Sequence, residues 1–197
     1  MKEIFLLLIV FCFISCKNTN ENDLETEKKY LGFEDMPNRE TKYKKVLTEN
    51  SADNLKLFNA LKSKLEKASF KLTKQKDIRK LSFNDCEDNL IISIDGNGIR
   101  QYYARSHKSE KALKNTYADF SIWVYEFSTP KIAKQNYDLL EKAFNSKGRF
   151  CNGKAPEKLV INGNEVFHLS TRAEMFRTYT EKYGEIIKNY QLRKVFL

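Results

Sequence analysis

Residues 120–127 read Phe120-Ser121-Ile122-Trp123-Val124-Tyr125-Glu126-Phe127 and form the most strand-like segment of the chain. β-branched and aromatic side chains, which favour strands, fill most of it. Successive side chains of a strand point to opposite faces, and near the middle of this segment both faces are apolar. A strand of this kind needs cover on both sides, so the segment predicts a strand in the centre of a sheet.

The sequence after this strand alternates between helix and strand patterns. Thr129-Pro130 predicts the start of a helix, because proline at the first helical position lacks only an N–H that would be unpaired there anyway. Gly148 predicts its end. Strands at 158–161 and 165–170 follow and are joined by a tight turn. The helix is expected to bury an apolar stripe formed by Ile132, Ala133, Tyr137, Leu140 and Phe144.

A last helix is predicted to begin at Thr171-Arg172-Ala173-Glu174, where threonine and glutamate have the spacing of a capping box. Residues 195–197 are expected to add an edge strand. The second half therefore follows the order β-α-β-β-α, which is compatible with a ferredoxin-like half. We predict an α+β fold with a mainly antiparallel sheet and helices packed chiefly on one face. The apolar face of the last helix comprises Phe176, Tyr179, Tyr183, Ile186 and Tyr190.

The first half of the chain carries shorter patterns. Its clearest helix has leucines and a phenylalanine at three- and four-residue steps, with lysines on the opposite face. Asp95-Gly96-Asn97-Gly98 predicts a turn, after which the next strand returns as a hairpin partner. The predicted elements are a helix at 51–68, β-like pieces at 70–72 and 78–83, strands at 89–94 and 99–104, and a short helix at 109–116.

The first sixteen residues have the layout of an export signal. Lys2 supplies positive charge, residues 4–13 form an unbroken apolar run, and the small residue Ser15 stands directly before Cys16. The run is about ten residues long, whereas a helix that crosses a membrane needs about twenty. This segment resembles the lipobox of bacterial lipoproteins, although Phe13 stands where leucine is usual. The resemblance covers these residues and no others.

The resemblance implies that Cys16 is acylated and that the chain is cut before it. Two or three acyl chains hold a protein stably on a bilayer. The predicted organisation is then a signal peptide at 1–15, a flexible polar tether at 16–48 and a single α+β domain at 49–197. The expected location is the bacterial cell envelope, lipid-anchored at the outer membrane on its periplasmic face or at the cell surface.

The cysteines fit this location. The chain has four cysteines; Cys12 would leave with the signal peptide, and Cys16 would carry the lipid. The remaining pair, Cys86 and Cys151, would lie in an oxidising compartment. We predict a disulfide between them, the alternative being two unpaired buried thiols. No CxxC sequence occurs, so redox catalysis and a zinc cluster have little support.

The net charge of +9 is unevenly distributed, with an acidic excess at 17–41 and 81–100 and a basic excess at 42–80. A basic surface suits nucleic acid, but an exported, lipid-anchored protein meets little of it. Anionic lipid head groups or cell-wall polymers are the expected neighbours instead. The simplest interpretation is that lysines on solvated helix faces keep the domain soluble.

The sequence contains no complete catalytic motif: GxSxG, HExxH, P-loop and GxGxxG patterns are all absent. Asp85, Glu87 and Asp88 flank Cys86, and close carboxylates can bind a cation or act as acid and base. The alternative is an exposed loop before a strand. His107 with a nearby hydroxyl is the other catalytic candidate.

Other polar and aromatic residues are expected to be structural. His107 and His168 are the only histidines, and nothing supplies the spacing of a zinc site. Residues 95–98 lack the alternating acidic ligands of a calcium loop. No metal or cofactor is therefore expected. The tyrosines of the last helix could stack on sugars, but their helical spacing favours a stripe that packs into the core. These residues are Tyr179, Tyr183 and Tyr190, with Arg172 and Arg177 nearby.

These observations favour a non-catalytic envelope lipoprotein, held on the bilayer by acylated Cys16, whose domain binds an envelope protein or a cell-wall component. The alternative is a small envelope hydrolase acting on glycan or peptide crosslinks through the carboxylates around Cys86 or through His107. The first hypothesis is preferred because no catalytic set is complete.

Overall fold

The computed structural model describes residues 41–51, 54–76, 80–111, 113–146, 151–152 and 155–190. The predicted signal peptide, Cys16 and the predicted strand at 195–197 lie outside these residues. The described elements are β1 (Lys42–Thr48), α1 (Leu55–Lys67), β2 (Phe70–Lys74), β3 (Lys80–Asp85), β4 (Leu90–Gly96), β5 (Ile99–Ser109), β6 (Tyr117–Glu126), α2 (Pro130–Asn145), β7 (Glu157–Asn162), β8 (Glu165–Ser170), a 3₁₀ turn (Glu174–Phe176) and α3 (Arg177–Lys188).

The strands form two sheets. In the larger sheet every neighbouring pair is antiparallel, and the strand order is β2-β5-β6-β8-β7. In the smaller sheet the order is β1-β4-β3, with β1 parallel and β3 antiparallel to β4. Helices pack against these sheets, so the predicted α+β class with mainly antiparallel pairing is confirmed.

β6 is the middle strand of the larger sheet, as its sequence predicts. Phe120, Ile122 and Val124 point to the first face and pack with α1 and α3. Tyr125 and Phe127 point to the second face and pack with α2 and the smaller sheet. All five side chains are at most 1% exposed. The segment is apolar on both faces because each face carries its own covering layer.

Two of the three described helices, α1 and α3, share the first face of the larger sheet. The elements β6, α2, β7, β8 and α3 follow the predicted β-α-β-β-α order, and β8 lies between β6 and β7. A ferredoxin-like half would carry both of its helices on one face. Here α2 lies opposite α3, because the apolar stripe of α2 helps the smaller sheet to cover the second face.

Residues 95–98 form a corner between the two sheets rather than the turn of a hairpin. β4 pairs with β1 and β3, whereas β5 pairs with β2 and β6, so the predicted hairpin is wrong. A Cβ on Gly98 would stand 2.7 Å from the Glu126 carbonyl oxygen and from the Glu49 amide nitrogen. Glycine therefore lets the corner pass directly against distant backbone, a requirement that the local turn pattern does not reveal.

β1 extends the folded domain into the predicted tether. Its residues pair with β4 over the whole strand, although the polar sequence up to residue 48 predicts a flexible segment. Only Val46 and Thr48 are buried in the strand. Lysines occupy most of the other positions, so the apolar signal of this strand is too weak to recognise without its partner.

Two further local predictions are corrected. β5 continues to Ser109, and the Glu110 N–H donates to the Thr116 carbonyl oxygen at 2.7 Å, so the predicted helix at 109–116 is replaced by the β5–β6 connection. The Thr171 hydroxyl donates to the Asp119 carbonyl oxygen at 2.7 Å instead of capping a helix. The second difference arises because β6 offers the Thr171 hydroxyl a hydrogen-bond partner that is distant in sequence.

The structure holds α2 at both ends. The Ile132 N–H donates to Thr129 Oγ1 at 3.2 Å, which confirms the predicted start of the helix. Beyond its other end, Cys151 forms the predicted disulfide with Cys86, and their Cα atoms are 5.9 Å apart. This bond ties the β3–β4 turn to the segment that follows α2.

We expect removal of this disulfide to destabilise the protein. Replacing both Cys86 and Cys151 by serine should lower the free energy of unfolding by about 4 kcal/mol, the chain-entropy value for a loop of about 66 residues. Chemical denaturation measures the difference between the two proteins, and reductant should abolish it. A wild-type protein with the same denaturation midpoint with and without reductant would contradict the crosslink.

Candidate functional site

A cavity of about 610 Å³ lies along the outer edge of β7, between α2 and α3. β7 is the outermost strand of the larger sheet in the described part of the chain, so the backbone groups on its outer edge have no strand partner there. We call this cavity the edge groove. Its principal lining residues are Tyr137, Glu141 and Phe144 on α2, Glu157 and Leu159 on β7, and His168 on β8.

The alternation of side chains along β7 divides the edge groove into two sides. Leu159 pairs directly with His168 of β8, and both face α2 together with Glu157. Lys158 and Val160 face α3, where a Cβ on Gly184 would stand 2.9 Å from Lys158 Cγ and 3.6 Å from Val160 Cγ1. An extended chain lying beside β7 would place alternate side chains on these two sides.

His168 forms the floor of the α2 side and is 5% exposed. Its ring centroid lies 4.7 Å from that of Phe144 and 5.8 Å from that of Phe83. Nδ1 is 3.4 Å from the Tyr125 hydroxyl. Nε2 is 3.6 Å from Glu157 Oε1 and has no hydrogen-bond partner among the described residues. A buried polar atom without a partner costs free energy, and a ligand in the groove can supply that partner.

Carboxylates and aromatic rings give the α2 side its chemical character. The Tyr137 hydroxyl donates to Glu141 Oε1 at 2.5 Å. Burial and this hydrogen bond raise the pKa of Tyr137 well above its usual value, so the hydroxyl remains a donor. Glu157 stands on the facing strand, and the Phe144 ring completes the wall. Carboxylates beside aromatic faces are typical surroundings of a cationic group.

The α3 side carries basic side chains whose charges are largely balanced. Lys158 Nζ lies 3.5 Å from Glu185 Oε1. Arg177 donates to both carboxylate oxygens of Glu174, at 2.5 and 2.8 Å. Lys188 is the third basic residue that lines the cavity. Among the described lining residues the two sides of β7 therefore differ in charge, because every lysine and arginine in that set lies on the α3 side.

Asp85, Glu87 and Asp88 lie in the β3–β4 turn and away from the edge groove. Asp85 is buried, and its Oδ1 accepts hydrogen bonds from the N–H groups of Glu87 and Asp88, each at 3.2 Å. Lys142 bonds Asp88. This hydrogen bond and the charge of Lys142 lower the pKa of Asp88. These contacts shape the turn beside the disulfide, and a lowered pKa does not suit a general acid.

The remaining sequence candidates also lie outside the α2 side. His107 is exposed on β5. Tyr183 is buried, and Tyr179 and Tyr190 pack partly buried against the same core, so the predicted core stripe is confirmed. Arg172 is exposed and Arg177 lies on the α3 side. The groove is lined instead by residues that the sequence patterns place in the core or do not mark as functional.

Comparison with known proteins gives no assignment: no family model, no curated protein and no solved structure matches this chain. Within the described residues, no group of three or more His, Cys, Asp or Glu side chains is placed to hold a metal ion. None of the helices in this part of the chain combines the length and the apolar character needed to cross a membrane.

A buried ionic cluster lies where β5, β6 and β8 meet the segment between β1 and α1. Arg100 forms ion pairs with Glu126 and Glu165, and all three residues are at most 7% exposed. Glu126 Oε1 also accepts hydrogen bonds from the N–H and the hydroxyl of Ser51, both at 3.0 Å. The cluster thereby holds the segment that leads into α1 against the larger sheet.

Stability is expected to depend on the protonation of Glu165. Burial raises its pKa to about 7 from a usual value of 4.5, against the opposing charge of Arg100. Between these values the folded protein binds more protons at this site than the unfolded chain, so this site's contribution to stability falls as the pH rises from 4.5 to about 7. Glu165→Gln should remove that contribution.

The measurement is the free energy of unfolding of the wild type and the variant across this pH range. The difference between the two proteins should change steadily with pH and level off above the raised pKa. A constant difference would show that Glu165 titrates alike in both states and would contradict the prediction.

Proposed function

We propose that this chain is a lipid-anchored, non-catalytic protein of the bacterial cell envelope whose folded domain binds a partner through the edge groove. The anchor is supported by the apolar run that ends in Ser15-Cys16. The binding activity rests on one observation: the outer edge of β7 opens into a cavity whose α2 side combines carboxylates, aromatic rings and the buried His168.

The lining of the groove supports binding in preference to catalysis. Among the described lining residues there is no serine, threonine or cysteine, so the nucleophile of a serine-, threonine- or cysteine-type hydrolase is absent from them. Glu141 accepts a hydrogen bond from Tyr137, and His168 stands between aromatic rings. The hydrolase hypothesis draws no support from the carboxylates around Cys86, because their contacts build a turn.

The position at which the chain enters the domain is compatible with a tether. The described part of the chain starts at Thr41, which is buried, and β1 follows at once. The segment from residue 17 to residue 40 is polar, and about 24 residues reach at most about 80 Å when extended. This length would let the domain meet partners at some distance from the bilayer.

We expect lipid attachment at Cys16 alone. In cells that express the full chain, labelled palmitate should enter the wild type and a Cys12→Ala control, whereas Cys16→Ala should remain unlabelled and leave the membrane fraction. The reason is that only the cysteine after the cleavage site becomes the acylated terminus. Label in Cys16→Ala, or unchanged membrane fractionation of that variant, would refute the anchor.

A partner should be found at the groove. A photocrosslinking residue at Glu141, on the groove wall, should give a discrete adduct in intact cells. The matched position is Gln135, which is exposed on the same helix and does not line the groove; it should not give this adduct. Gel shift and mass spectrometry identify the adduct. The same adducts at both positions, or none at Glu141, would count against the groove as the binding site.

A further inference from the structure

We infer that the partner binds the edge groove as an extended segment, which adds a strand to the outer edge of β7 and places a lysine or arginine side chain on the α2 side. This inference rests on the proposed function and names the chemistry of the partner at the same site.

The backbone of β7 provides the first part of the argument. β7 spans six residues, and its inner edge pairs antiparallel with β8 over all of them. The outer edge faces the groove, with no strand beside it in the described part of the chain. Unpaired N–H and C=O groups in a row are a template for another strand, and extended peptides commonly bind by completing such an edge.

The α2 side selects the side chain. A residue of the added strand that faces α2 would meet Glu157 on β7, Glu141 and Tyr137 on α2, and His168 beneath them. Two carboxylates favour a cation, and the ring of Phe144 can lie against its apolar stem. Of the two neutral tautomers of His168, the one with its proton on Nδ1 leaves Nε2 as an acceptor that faces the groove. An ammonium or guanidinium group would satisfy it.

The α3 side sets a weaker requirement. Lys158 and Arg177 already face Glu185 and Glu174, so the neighbouring residues of the added strand meet a balanced surface. Neutral side chains suffice there. The expected signature is therefore a strand-forming segment with one basic residue among the positions that point towards α2.

A second copy of this chain fits the groove poorly. Two β7 strands paired antiparallel about a two-fold axis keep the same faces on the same side of the joined sheet. Glu157 and Glu141 of both copies would then lie together on one face. Like charges placed this way repel, whereas a basic segment from another protein neutralises them.

The test uses the purified full chain in detergent and fluorescent peptides of the form Thr-Val-Thr-Lys-Thr-Val-Thr. Anisotropy should show about tenfold tighter binding of this peptide than of the same peptide with glutamate for lysine. Two further peptides carry N-methyl groups on alternate backbone nitrogens, one peptide for each strand edge. One should bind like the parent and the other should not, because an added strand pairs through one edge only.

Variants of the protein locate the contact. Glu157→Gln should reduce the preference for lysine several-fold. Glu66→Gln, at an exposed carboxylate on α1 that does not line the groove, should leave the preference unchanged. Equal binding of the lysine and glutamate peptides would overturn the inference, as would equal binding of both N-methylated peptides, which would indicate a simple amine pocket.

Two other occupants are separate outcomes that also overturn the inference. Binding that appears only after residues 191–197 are removed would assign the groove to this chain's own segment. A dimer in sedimentation that the peptide dissociates would assign it to a second copy. If Glu141 gives an adduct in cells but the peptides bind without preference, strand addition is wrong and the proposed function stands. If the peptides bind as expected but Glu141 gives no adduct, the groove accepts an added strand and the proposed binding of a partner in cells is wrong.

Discussion

The burial of β6 on both faces is the constraint on which the other features depend. Burying apolar surface is the main source of folding free energy, and a strand with two apolar faces obtains it only between two layers. α1 and α3 form one layer, and α2 with the smaller sheet forms the other. Since α2 and α3 are thereby placed on opposite faces, they stand on either side of β7. The edge groove is a consequence of how the core is covered.

The sequence predicts the second half of the fold well because its signals are local. The β-branched and aromatic side chains of residues 120–127 predict β6, and Thr129-Pro130 predicts the start of α2. The division into two sheets is not predictable in this way, because β4 and β5 resemble the arms of a hairpin, whereas their actual partners and the close approach of Gly98 to distant backbone are non-local. β1 is not predicted for a related reason. Its many lysines leave no clear apolar pattern, and the strand is stabilised by parallel pairing with β4.

The groove could be predicted only in fragments. His168 is noticeable as one of the two histidines, but its burial and its aromatic neighbours depend on tertiary packing. Glu141 and Glu157 look like ordinary solvated charges in a helix and before a strand. Glu126 offers a clearer signal, since a carboxylate inside an otherwise apolar strand must find a partner when buried. That partner, Arg100, lies on the neighbouring strand β5, and only the register between the two strands brings the residues together.

The disulfide between Cys86 and Cys151 also closes a covalent ring that contains β4, β5, β6 and α2. A protease that cuts once inside this ring leaves a single connected molecule, whose two new ends stay tethered within the fold. A cut elsewhere divides the chain into separable pieces. The central strands are therefore the part of the domain whose connectivity best survives nicking.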